Sequence, residues 1–195
     1  MKSKKQIRRH RNKSKKFRGK LMKGGESLNR QLFVACYNGN VELAMDLVDR
    51  GADIHARDVY ERTPLHKACI YGSMEVAMAL VDRGADVDAR DLIQDTPLHR
   101  ACREGYMEVA MALVDRGADI HARNEQQMTP LHCACNTGIM EVVIDLLDRG
   151  ADIHARDVEQ WTPLHWACWK GHMEVVLALV DRGADVDVRD NNQRT

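Results

Sequence analysis

The tetrapeptide Thr-Pro-Leu-His occurs four times in 195 residues, at Thr63–His66, Thr96–His99, Thr129–His132 and Thr162–His165, and each step is 33 residues. The same step links Gly39, Gly72, Gly105, Gly138 and Gly171, and the Gly-Ala-Asp triplets that begin at Gly51, Gly84, Gly117, Gly150 and Gly183. Five of the six cysteines obey it as well (Cys36, Cys69, Cys102, Cys135 and Cys168), and Cys133 alone is out of register. A fixed period of this length restricts the chain to an array. Each period is one supersecondary unit that buries its apolar face only against the units on either side.

The residues within one period define that unit. Thr63 is a helix cap, and Pro64 suits the first helical position, where a missing N–H costs nothing. Leu65, Ala68 and Cys69 give a short helix with an apolar stripe, stopped near Gly72. Met74, Val76, Ala77, Leu80 and Val81 supply a second helix, followed by Gly84. The small residues Ala68, Ala77 and Ala85 permit close packing between units, so nine aromatic residues in the chain are compatible with a full core.

A 33-residue period carrying T-P-L-H-x-A resembles the ankyrin repeat, and the resemblance covers residues 25–195. It implies an all-α repeat solenoid of stacked helix-turn-helix units with short β-hairpin loops. The repeats fall at 25–57, 58–90, 91–123, 124–156 and 157–189, and residues 190–195 open a further one. The first is atypical, because Arg30-Gln31-Leu32-Phe33 stands where Thr-Pro-Leu-His stands later, and polar Asn29, Asn38 and Asn40 fit a capping repeat. The fifth keeps an apolar second helix (Met173, Val175, Val176, Leu177, Leu179 and Val180), although solenoids need a polar end for solubility. The expectation is a truncated array or an end face that something covers.

Charge divides the chain differently. Lys and Arg number 29, as do Asp and Glu; twelve of the basic residues and none of the acids fall in residues 1–25, which leaves seventeen against 29 in the rest. Residues 1–24 are therefore a basic arm, expected to be disordered, ahead of an acidic body. Its Lys4-Lys5, Arg8-Arg9-His10-Arg11 and Lys15-Lys16 clusters read as a nuclear address or a weak, sequence-independent contact to nucleic-acid phosphates. No apolar run approaches the ~20 residues that span a bilayer, and the start lacks the apolar core of a secretory signal. Cysteines without a C-x-x-C pair or an export signal read as intracellular thiols, which places the chain in nucleus or cytoplasm.

Two constellations invite chemistry. His66 and Cys69, repeated as His99/Cys102, His132/Cys135 and His165/Cys168, sit at i and i+3 and offer two metal ligands or a thiol–imidazole pair. The periodicity argues against both, since equivalent sites on packed helices lie ~8–10 Å apart and a metal–ligand bond is ~2 Å. The resemblance implies instead that each histidine braces the threonine ahead of it and that each cysteine fills the core. No cofactor, metal site or catalytic residue is implied, and Cys133 is the thiol expected to be reactive. The second constellation is His55, Asp88, His121, His154 and Asp187, where ankyrin repeats typically carry asparagine; mild pH sensitivity of the hairpins is the expectation there. Ankyrin repeats also commonly carry glycine two residues before the threonine, but here the residues are Glu61, Gln94, Gln127, Gln160 and Gln193. If those positions stay left-handed, each costs ~1–2 kcal/mol and alters the hairpin tip.

The ankyrin likeness locates recognition on the hairpin tips and the exposed side of the first helices. By register this face takes in Tyr60, Arg62 and Tyr71, then Leu92, Ile93 and Arg103, then Met128, and finally Trp161, Trp169 and Lys170. These positions vary while residues 74–86 and 107–119 are identical. All three tryptophans fall in one repeat, and tryptophan is enriched at interface hot spots. The leading expectation is a non-enzymatic module, an adaptor, scaffold or sequestering protein, that holds a protein partner with a basic surface. The alternatives are nucleic-acid association through the arm and a piece of a larger ankyrin protein, of the kind multiplied in large DNA viruses and intracellular microbes. Self-association at the uncapped last repeat is a further expectation.

Overall fold

The computed structural model describes residues 27–195. The arm at 1–24, with its lysine and arginine clusters, lies outside the described residues. Ten α-helices follow in five pairs: α1 (Leu28–Asn38) and α2 (Val41–Asp49), α3 (Pro64–Ile70) and α4 (Met74–Asp82), α5 (Pro97–Glu104) and α6 (Met107–Asp115), α7 (Pro130–Thr137) and α8 (Met140–Asp148), α9 (Pro163–Lys170) and α10 (Met173–Asp181). Each helix packs on its partner and on the equivalent helix of the next pair, which makes a solenoid. First helices pack on one another more extensively than second helices do.

The Thr-Pro-Leu-His signature builds the start of every first helix after α1. In α3 the His66 N–H donates to Thr63 Oγ1 at 3.3 Å, and the Thr63 N–H donates back to His66 Nδ1 at 3.2 Å. Because Nδ1 accepts that bond, Nε2 carries the proton and donates to the Asp95 carbonyl of the next repeat at 3.0 Å. His99 and His132 reach the carbonyls of Met128 and Trp161 in the same way, at 3.0 and 3.1 Å. One imidazole thus caps its own helix and ties two repeats together. Burial lowers the pKa of all three rings, to about 4 for His66 and His132, so they are neutral donors rather than cations.

The core runs the length of the stack as one cluster. Leu32, Leu65, Leu98 and Leu131 on the first helices, and Leu47, Leu80, Leu113, Leu146 and Leu179 on the second, are fully buried. Full burial of a leucine is worth ~1.5–3 kcal/mol, and stacking on neighbouring repeats joins these leucines into one core. Small residues set the spacing. Gly72 adopts φ +67°, and a Cβ there would meet the Tyr106 ring at 2.5 Å.

The loops differ from the expected β-hairpins, since no strand forms among the described residues. A single backbone bond joins consecutive tips instead: Leu92 N–H to the Tyr60 carbonyl, Glu125 to Ile93, Val158 to Gln126 and Asn191 to Glu159. Glu61, Gln94, Gln127, Gln160 and Gln193 all adopt φ between +59° and +64°, so the left-handed backbone persists without glycine. Each tip is held by an aspartate or asparagine. Asp91 Oδ1 accepts from the backbone N–H groups of Ile93 and Asp95, and Asp58, Asn124, Asp157 and Asp190 repeat the arrangement. No helix among the described residues is long and apolar enough to cross a membrane.

Candidate functional site

The first helices and the tips together form one face, and aromatic residues gather at its two ends. At the N-terminal end Tyr60 is 55% exposed and carries the Arg62 guanidinium 4.4 Å from its ring centroid. Arg62 also pairs with Asp58 at 2.9 Å. Tyr71, half exposed, meets Tyr37 edge-on at 4.4 Å between centroids, and Lys67 Nζ sits 5.8 Å from its ring. Aromatic rings beside tethered cations make an amphipathic, rigid contact area.

The middle of the face is polar and internally satisfied. Asp95 is fully buried and takes Arg103 at 2.5 Å, Arg100 at 3.4 Å and the Asn124 amide at 2.7 Å. Arg103 is therefore committed to its own chain, with a further contact to Cys133 Sγ at 3.5 Å, and is not an open partner contact. Leu92 and Ile93 are half buried between tips. Met128 is buried at 8% exposure, because its tip turns the side chain into the stack while its carbonyl receives His99. It is withdrawn from the contact face.

At the C-terminal end the three tryptophans form one cluster. Trp161 lies 5.2 Å from Trp166 and 5.7 Å from Trp169, both edge-on. Their roles separate on burial. Trp161 is half buried and its Nε1–H donates to Asp190 at 3.0 Å, and the Nε1–H of Trp166 donates to Asp157 at 3.0 Å. Trp169 is 66% exposed, and Lys170 beside it is exposed. The face thus presents Tyr60 and Tyr71 at one end and Trp169 with Lys170 at the other.

The tip carboxylates escaped the sequence reading, although a signal for them exists. Position 58 of the period is paired with position 67: Asp58 with Lys67 at 3.8 Å, Asp91 with Arg100, and Asp157 with Trp166. In the fourth repeat both members change together, to Asn124 and Cys133. The acid and its donor are exchanged as a unit across the repeats, nine residues apart.

The cysteines are core. Burial pushes the Cys36 thiol up to about 12 and Cys133 up to about 11 despite the neighbouring Arg103, so Cys133 is an inert thiol. Cys168 is the exposed one. No cluster of three or more metal-ligating side chains occurs among the described residues. His66, His99 and His132 spend both ring nitrogens on helix capping and repeat linkage, and His165 spends Nδ1 on capping alone.

Comparison with known families matches a model described as ankyrin repeats in three copies to residues 32–124 and 120–190. No curated protein matches the chain.

Proposed function

Since the chain belongs to the ankyrin-repeat family, whose members generally mediate protein–protein interaction, we propose that it is a non-enzymatic binding module that holds a partner on its first-helix and tip face. The single observation that carries this reading is the separation of exposed aromatics from satisfied polar groups. Tyr60, Tyr71 and Trp169 are exposed beside the cations Arg62, Lys67 and Lys170, whereas Asp95, Arg100 and Arg103 between them are saturated. Anchors at the ends with a polar, already bonded centre suit a partner segment that spans the repeats. The acidic excess of residues 26–195 favours a basic partner surface through steering.

The test is capture of a partner from nuclease-treated lysate by the intact chain, by Tyr71→Ala/Trp169→Ala, and by Glu75→Ala on the second-helix side. Retention that falls at least tenfold in the double variant and survives Glu75→Ala supports the reading. Equal retention by all three rejects it. The basic arm supports a second role: if it contacts nucleic acid, binding declines steeply with salt and is lost when residues 1–24 are removed.

A further inference from the structure

Charge in the solenoid is sorted by helix. The first helices carry Arg30, Lys67, Arg100, Arg103 and Lys170 against a single acid, Glu104. The second helices carry twelve acids and no base, offset only by the arginine that follows each of the five. On α4, α6 and α8, each flanked by a repeat on both sides, the outward surface is built alike. Glu75, Met78 and Asp82 stand at i, i+3 and i+7 on one helix face, as do Glu108, Met111 and Asp115, and Glu141, Ile144 and Asp148. The acids are exposed and the apolar residues between them are half buried. Stacking turns these sets into a glutamate row, an apolar ridge and an aspartate row.

The fold itself accounts for part of this acid. A glutamate in the first turn suits the positive end of the helix dipole. The arginines tie repeats together through the aspartates, Arg83 to Asp49, Arg116 to Asp82, Arg149 to Asp115 and Arg182 to Asp148. An excess remains. Glu75, Glu108 and Glu141 have no ion pair among the described residues. The face also repeats without change, since residues 74–86 and 107–119 are identical. It is a uniform strip rather than a shaped pocket, and its complement is a segment of uniform positive charge. Residues 1–24 hold twelve Lys and Arg and no acid.

We propose that the second-helix face is the docking surface of the chain's own basic residues 1–24, which it withholds from other anions. The Lys and Arg heads meet the two acidic rows, and their apolar stems cover the ridge of Met78, Met111 and Ile144. The attachment point suits this path. Asn29 Oδ1 accepts the Asp53 N–H at 2.8 Å, so the start of α1 lies beside the loop after α2, at the aspartate end of the face. Reach is ample: the 26 residues before Ser27 extend to about 90 Å at most, and five second helices in ~10 Å steps cover about 40 Å. Tethering selects this occupant over a free basic segment. Exposed ion pairs are individually weak, and a linked segment is present at an effective concentration on the order of millimolar. The proposal concerns a different surface from the first-helix and tip face and does not rest on that reading.

Zero-length carbodiimide cross-linking of the intact chain, read by peptide mapping, joins a lysine to a carboxylate only where the two touch. The internal control is Glu61 and Glu159, exposed glutamates on the tips. Lys4, Lys5, Lys15 and Lys16 are expected to link to Glu75, Glu108 and Glu141 at least fivefold more than to the controls. Tether proximity alone gives the opposite order, because Glu61 opens repeat two and Glu141 lies in repeat four. The preference is expected to fall below twofold in 1 M salt, where charge is screened beyond about 3 Å. In Glu75→Gln/Glu108→Gln/Glu141→Gln, whose exposed positions leave the core intact, links to Asp82 and Asp115 are expected to drop at least threefold. Yields within twofold on the second-helix and tip glutamates at low salt overturn the proposal, as do aspartate links that the triple variant leaves unchanged. Mixing chains of two isotopic compositions identifies the donor. Links found mainly between chains make a second copy the occupant and also overturn it.

Discussion

The first and last repeats have the same helices and opposite ends. In the first, Arg30, Asn38 and Asn40 are exposed together with Leu43; Ser27 and Asn40 cap α1 and α2, and Arg50 finds a substitute partner in Asp46. In the last, the outer side keeps the interior pattern: Met173, Leu177 and Val180 are exposed, Asp181 has no arginine, and His165 Nε2 has no acceptor. A repeat is thus not self-sufficient. Its sequence encodes half of two interfaces, and whether a given leucine or histidine stabilises depends on whether the other half is present.

Acid separates interior from end most strongly. Burial holds His66 and His132 at about 4, below the 6.5 of a free imidazole, and lowers His99 as well. Between those values the unfolded chain binds more protons than the folded one. Stability from these rings is therefore complete above pH 6.5 and declines as pH falls toward 4, by on the order of 3 kcal/mol for each of His66 and His132, with His99 adding in the same direction. Urea unfolding at pH 7.5 and 4.5 measures it; a midpoint that does not move removes the histidines from the interior ties.

Truncation comes next. Leu113→Ala, at a fully buried position, is expected to cost about 3 kcal/mol, and Leu177→Ala at the open end less than about 0.5 kcal/mol. Similar costs by chemical denaturation erase the distinction between covered and open faces. His99→Ala removes a cap and an inter-repeat bond, about 2 kcal/mol, while His165→Ala removes the cap alone and costs about half as much. The smallest effect has the opposite sign. Gln127, exposed at φ +59°, is expected to gain roughly 0.5–1 kcal/mol on Gln127→Gly, as relief of a left-handed backbone exceeds the added chain entropy.

The period and its residues made the helices legible, and the ankyrin likeness implied the threonine–histidine brace and raised the left-handed tips, each a local matter of residues a few positions apart. What failed was exposure. Register placed Met128, Arg103 and Cys133 on or near the contact face or made them available, and the structure buries the first, pairs the second with Asp95 and seals the third. Those outcomes depend on side-chain direction relative to the neighbouring repeat, which a period does not encode. The tip carboxylates lay in between, since the joint change to Asn124 and Cys133 in one repeat marks positions 58 and 67 as partners.

Amide hydrogen exchange on the intact chain addresses the contrast between the two ends directly. The expected order is strongest protection in α3 to α8, retained protection in α2, and earliest loss in α10, where one side of the helix has no covering repeat. Protection of α10 equal to that of α2 contradicts the contrast, and shows that the last repeat is closed by something other than a following helix pair.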